Sequence, residues 1–166
     1  YHAPVSVDPS TLRILIHPDP LLRQAAAAVD EVTEEVQAVA ERMLELMHEA
    51  EGIGLAAPQV GLSWRMFVTR DPDNREATSG GVVYVNPVIE VTDEEIEASE
   101  EGCLSLPGIE VNVKRPVGIR MTALNAEGDS VIYERNDHFA RVYQHESDHL
   151  DGTLIIDRMT AMDRIR

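Results

Sequence analysis

Two histidines four residues apart, with a glutamate beside the first, stand at His145-Glu146-Ser147-Asp148-His149. On a helix a spacing of four places both imidazoles on one face, a turn apart, so that they can share one ion. A glutamate next to the first histidine can take a proton from water that the cation has acidified. That is the minimum equipment for metal-assisted hydrolysis. The bland alternative is a polar helix face that happens to carry two histidines. The helical context and Gly152, just past the helix end, favour the metal reading.

A catalytic ion wants a third protein ligand and one position left open. In the longer H-E-x-x-H-x-x-G-x-x-H pattern Gly152 falls correctly, but the last histidine position holds Ile155, which cannot ligate. The residues after His149 include no glutamate, so a late glutamate ligand is missing as well. His138 shares roughly the face of His145, yet at ~1.5 Å of rise per residue it lies about 10 Å along the axis, too far to share an ion. His2, His17 and His48 fall in a terminus, a proline-rich loop and a helix end, without partners at ligand spacing. The strongest remaining candidate is Cys103, in Glu101-Gly102-Cys103-Leu104-Ser105. A thiolate with two imidazoles suits zinc, ferrous iron, cobalt or nickel, and a bound ion would depress the thiol pKa. A free cysteine is also commonly a small buried apolar residue, and the residues alone leave both readings open.

The helix that must carry the histidine pair is predicted from about Asp137 to Leu150, with Phe139, Val142, Tyr143 and Leu150 as its apolar stripe. A second helix is predicted from Thr33 to about Ala50. There Val36, Val39, Ala40, Met43, Leu44 and Met47 recur at helical spacing, Thr33 is the N-cap, and Gly52 is placed to stop it. Leu12–Ile16 reads as a short strand broken by His17-Pro18-Asp19-Pro20. Short β-rich pieces follow at Met66–Val68, Val82–Val85, Val88–Val91, Val117–Leu124 and Val131–Glu134. The last two are joined by the turn formers Asn125–Asp129, as in an antiparallel hairpin. Arg70–Arg75 through Gly80-Gly81 reads as an exposed loop. The expected fold class is α+β, with short antiparallel sheets packed around a metal-ligand-bearing C-terminal helix, in a single domain spanning residues 1–166.

Composition narrows the partners. Apolar residues make up 43% and charged residues 27% of the 166, ordinary values for a chain that folds. The formal net charge of −16 repels phosphate backbones and anionic headgroups, so no direct nucleic-acid binding is expected. The acidic run at Asp93, Glu94, Glu95 and Glu97 reads as solvated surface. No apolar stretch approaches the roughly 20 residues that cross a bilayer, so no membrane association is expected. A lone cysteine fits a reducing compartment. Tyr1-His2-Ala3-Pro4 carries neither an initiator methionine nor a signal pattern, which suggests a trimmed or processed end.

Three separated segments together resemble the peptide deformylases, in that family's order. Gly52-Ile53-Gly54-Leu55-Ala56-Ala57-Pro58-Gln59 is similar to its glycine-rich first motif, Glu101–Ser105 to its E-G-C-L-S motif, and Gln144–Leu150 to its Q-H-E-x-D-H-L motif. The similarity runs from about Leu12 to Thr160, includes Asn86-Pro87 and Arg158-Met159-Thr160, and looks nearest to the branch found in many bacteria and plant organelles. The resemblance implies metal ligands at Cys103, His145 and His149, with Glu146 as the acid/base residue. It also implies that Gln59 and the backbone N–H of Leu104 donate to the developing oxyanion, and that Ile53, Gly54 and Val142 border a pocket for a methionine side chain. Gln144 and Asp148 could orient the ligands. Arg141 and His138 are more polar than many members carry there. The implied reaction removes the N-formyl group from formyl-methionyl nascent polypeptides, releasing formate. Ferrous iron (Fe2+) is the usual ion, one per chain, with Zn2+, Ni2+ or Co2+ admitted by the ligands. Transient ribosome association is the implied setting, in the bacterial cytoplasm or in an organelle stroma or matrix.

Overall fold

In the computed structural model, which describes residues 6–164, the helical rhythm around Val39 and Met43 forms α1 (Glu34–Glu49). The readings of Tyr1–Pro4 and His2 lie outside the described residues. Thr33 caps α1 as expected, its hydroxyl accepting from the Val36 N–H at 3.2 Å. The far end closes with paired bonds, Glu51 N–H to the His48 carbonyl and Gly52 N–H to that of Met47, at 3.0 and 2.9 Å. In that arrangement the left-handed residue is Glu51, with φ 58°, and Gly52 follows it. Gly52 stops the helix from one position further on than its type suggests, and its missing side chain has another use. A Cβ there would stand 2.7 Å from Leu104 Cδ1.

The strands are β1 (Gly54–Ala56), β2 (Met66–Thr69), β3 (Val82–Cys103), β4 (Leu106–Leu124) and β5 (Ser130–Arg135), paired antiparallel in chain order in one five-stranded sheet. The class is α+β. The pieces Val82–Val85 and Val88–Val91 are one strand, interrupted by a register shift at Asn86, whose φ is 51°. β3 then continues through the acidic run, which is solvated as expected but extended and paired with Lys114–Gly118 of β4. The hairpin across Asn125–Asp129 forms as predicted, Asn125 N–H donating to the Asp129 carbonyl at 2.9 Å. Leu12–Ile16 corrects the expectation of a strand. It is extended but joins no ladder, because Leu15 N–H reaches the Gln59 carbonyl on a short helical turn at 2.7 Å and, just past the segment, His17 N–H reaches that of Ser105 at 2.8 Å.

α1 packs on one face of the sheet and α2 (His138–Leu150) on the other. Residues alternate between them: Leu55, Met66, Val68, Val83 and Val85 meet α1, while Ala56, Phe67 and Tyr84 meet α2. Strands covered on both sides read as continuous apolar runs. Beneath α2 the hydroxyls of Thr69, Tyr84 and Tyr143 form a buried chain at 3.0 and 2.8 Å, tying the helix to β2 and β3. Burial pushes the Tyr84 phenol far above its ordinary range, so the chain stays neutral. Short helices α3 (Ile155–Arg158) and α4 (Ala161–Arg164) follow, Thr160 N–H donating to the Asn112 carbonyl of β4. No described helix is long and apolar enough to cross a membrane.

Gly152 ends α2 as predicted, with φ 74°, and a Cβ there would come within 2.4 Å of the Arg23 carbonyl oxygen. Strain and collision act together, so Gly152→Ala should cost more than about 1 kcal/mol of stability. Thermal unfolding followed by circular dichroism checks this. An unchanged midpoint would mean that the Arg23 backbone yields freely.

Candidate metal centre

α2 begins at Asp137, whose carboxylate accepts from Phe139 N–H at 3.1 Å. Its phase is set by Phe139, Val142, Tyr143 and Leu150, all buried against the sheet, and the same turn-by-turn spacing carries His145, Glu146 and His149 inward. Cys103 arrives from elsewhere. It ends β3, just before the two-residue turn Leu104-Ser105 that leads into β4. One ligand atom each from Cys103, His145 and His149 lie within 4.8 Å of one another, the one such group of His, Cys, Asp or Glu among the described residues. Cys103 Sγ stands 3.4 Å from His149 Nε2.

Glu101 completes the set. Its Oε1 lies 2.9 Å from His145 Nδ1, a pairing that directs the proton to Nδ1 and leaves Nε2 as the donor atom. Burial pulls both imidazoles toward the neutral form. At His145 the neighbouring Glu146 carboxylate, Cys103 and Glu101 outweigh it and hold the pKa up to about 10. At His149 burial, the adjacent His145 and Arg115 all act downward, and its pKa falls well below the usual value. The donor set itself, one sulfur and two imidazole nitrogens, fits zinc or a late first-row divalent ion.

Glu146 is 4% exposed, and burial pushes its carboxyl up to about 7. Its Oε1 is buried without a hydrogen-bond partner. Gly54 explains how β1 comes so close, since a Cβ on it would stand 2.7 Å from Glu146 Oε2. Gln59, on the short helical turn Ala57–Val60, accepts from Ala56 N–H at Oε1 (2.9 Å) and donates from Nε2 to Ser105 Oγ (3.1 Å). The Leu104 N–H donates to no backbone carbonyl among the described residues. A cavity of about 880 Å³ opens at this point, and Ile53, Gly54, Gln59, Leu104 and Val142 border it together with Cys103, His145 and Glu146. Of the residues given ligand, proton-transfer, oxyanion or substrate-pocket roles from sequence, all border this opening save His149, which is buried; Gln144 and Asp148 do not line it.

The sequence reading missed what holds the ligands. Glu101 receives Arg115 through Nε (2.6 Å) and Nη2 (2.9 Å), and Arg141 through Nη1 (2.6 Å). Burial would raise its pKa, but the bonds to Arg115 and then to His145, with the charges of both, keep it well below the carboxylate range. Arg115 also donates to Asp148 at 2.9 Å, and Asp148 takes Arg158 in a two-point pair. Asp148 is thus engaged by two guanidiniums, and through Arg115 and Glu101 it connects to His145. Gln144 instead ties α2 to β4 by donating to the Pro116 carbonyl. Arg141 borders the cavity but is occupied by Glu101 and by the Val113 and Glu97 carbonyls. His138, also at the cavity wall, is held toward neutrality by burial and then by Arg75 and Arg141. Arg115 sits in Lys114-Arg115-Pro116, which reads locally as surface, and only the β3–β4 pairing reveals its partner.

Residues 11–165 match the family model described as polypeptide deformylase. A peptide deformylase of Thermotoga maritima is 43% identical over 153 residues, covering 92% of this chain and 90% of the relative. One of Desulforudis audaxviator is 37% identical over 92% of this chain and 96% of its own length. Among solved structures, the Thermotoga maritima peptide deformylase superposes with a TM-score of 0.83 at 44% identity, covering 90% of this chain and 97% of that one. A plant peptide deformylase gives a TM-score of 0.88 at 36% identity, over 98% and 89% of the two chains. Matched along nearly its whole length in sequence and fold, the chain belongs to the polypeptide deformylase family.

Proposed function

We propose that this chain, acting as one catalytic unit, removes the formyl group from the N-terminal formyl-methionine of newly made polypeptides. Formate and a free amino terminus are the products. Deformylation is the reaction of the family. The observation that carries the assignment of roles is the convergence of Cys103, His145 and His149 beside a buried carboxylate, Glu146, that has an unpartnered oxygen. Those three side chains would hold one divalent ion. When bound, such an ion polarises a carbonyl and lowers the pKa of water at the site.

The protein's own groups do the rest. Glu146, raised toward neutrality by burial, takes a proton from the attacking water and passes it to the amine nitrogen as the formyl C–N bond breaks. Gln59 Nε2 and the Leu104 N–H donate to the oxyanion that forms on the formyl oxygen, as preorganised dipoles at the cavity wall. Ile53, Gly54 and Val142 border the space for the methionine side chain. The thiolate and two imidazoles accept ferrous iron, zinc, nickel or cobalt alike, and ferrous iron is proposed because it is the usual ion of the family. Because the substrate is a nascent chain, the reading places the protein in transient association with ribosomes, in the bacterial cytoplasm or an organelle stroma or matrix.

The test is anaerobic formate release from a formyl-methionyl tripeptide by ferrous-loaded protein, with the unformylated tripeptide beside it. Formate from the first and no cleavage of the second is expected. Cleavage of the unformylated peptide without formate from the other would make the site that of a metallopeptidase.

A further inference from the structure

The Gln59 amide is held more firmly than a hydrogen-bond donor at a cavity wall needs to be. Gln59 is 1% exposed and Ser105 is fully buried. The Ala56 N–H on Oε1 decides which end of the amide is oxygen, because a flipped group would face that N–H with an NH2 and set its oxygen against Cys103 Sγ, which lies 3.5 Å from Nε2. Ser105 decides the plane. An amide nitrogen carries two hydrogens. With one bonded to Ser105 Oγ at 3.1 Å, the other is directed at Cys103 Sγ, to which Nε2 donates at 3.5 Å among the proposed metal ligands. The two residues come from distant parts of the chain, yet both backbones are tied to one extended segment, through Leu15 N–H on the Gln59 carbonyl and His17 N–H on that of Ser105.

We propose that Ser105 is a positioning residue for catalysis: its buried hydroxyl fixes the Gln59 amide so that the other N–H, which faces Cys103 Sγ in this structure, is presented to the oxyanion when substrate binds, and Leu15–His17 keeps the two backbones in register. The proposal rests on the reading of Gln59 as an oxyanion donor. It gives a purpose to the segment that looks like a strand and joins no sheet.

The experiment is a double-mutant cycle between Ser105→Ala and Gln59→Ala, with the exchange of the Gln59 side-chain amide protons followed by NMR in zinc-loaded protein. Ser105→Ala should lower kcat about tenfold, the order expected for one hydrogen bond. KM and metal content should stay at parental values. Gln59 amide exchange should quicken, and in the Gln59→Ala background the same change should have no further effect. An equal fold-loss in both backgrounds, or unaltered Gln59 exchange, would overturn the positioning role. Parental kcat in Gln59→Ala alone would instead remove Gln59 from the oxyanion site and the proposal with it. If Ser105→Ala does not fold, Ser105→Cys keeps the volume with a weaker acceptor and is read by the same criteria.

Discussion

Replacing Glu146 with glutamine is expected to cut formate release by roughly 10²- to 10⁴-fold while the metal content after dialysis stays at the parental level. The two carboxylate oxygens explain both halves of that outcome. Neither belongs to the sulfur and nitrogen cluster that gathers Cys103, His145 and His149. Oε2 lies 3.9 Å from His145 Nε2, and Oε1 is buried with no hydrogen-bond partner. An amide of the same shape fits the same space against Gly54 but cannot accept and return a proton. Stability should hold or rise, since burial opposes charge on this carboxyl and glutamine carries none. Retained turnover would remove Glu146 from proton transfer. Lost metal would make it part of the binding site.

How much of this was legible in the residues depends on how local the signal was. Both long helices show in the 3.6-residue rhythm of their buried faces, and the caps Thr33 and Asp137 lie next to the positions they serve. Strands show where burial imprints a pattern, as at Met66–Val68 and Val82–Val85. The outer half of the β3–β4 hairpin does not, because Asp93–Ala98 is exposed and acidic and is extended only through its partners on β4. The helix end misled by one position: Gly52 is the residue whose type suggests a left-handed turn, while Glu51 takes it and Gly52 makes room for Leu104. At the site, His145 and His149 announce themselves by spacing, whereas Cys103 needs the elimination of every other third ligand. Glu101, Arg115 and Asp148 could not be joined from sequence, since their buried ion pairs link β3, β4 and α2 across 14 and 33 residues. Recognition of the three motifs brought Gln59 and Leu104 into the site. It said nothing of how Ser105 and Leu15 bond to Gln59, or of how His17 bonds to Ser105.

Cys103→Ala should release the ion. The thiolate is the one soft ligand, and it comes from the sheet, whereas both imidazoles come from α2. Without it two donors on one helix remain, too few for a catalytic site. Changes to groups that only orient ligands cost about 10–100-fold in metal affinity, so loss of the ligand itself should exceed 100-fold. The fold should survive, because Cys103 sits at the strand end with its side chain half-exposed, and Arg115 and Arg141 still join Glu101 to β4 and α2. Metal analysis after dialysis reads the loss directly. Cobalt-loaded protein supplies an independent readout, since a thiolate-to-metal absorption band present in the parent should be absent from the variant. Unchanged metal content would exclude Cys103 as a ligand. Glu146, whose Oε2 lies 3.9 Å from His145 Nε2, would then be the third ligand, and Glu146→Gln would lose metal as well as turnover. The two substitutions measured side by side therefore separate the ligand from the proton carrier.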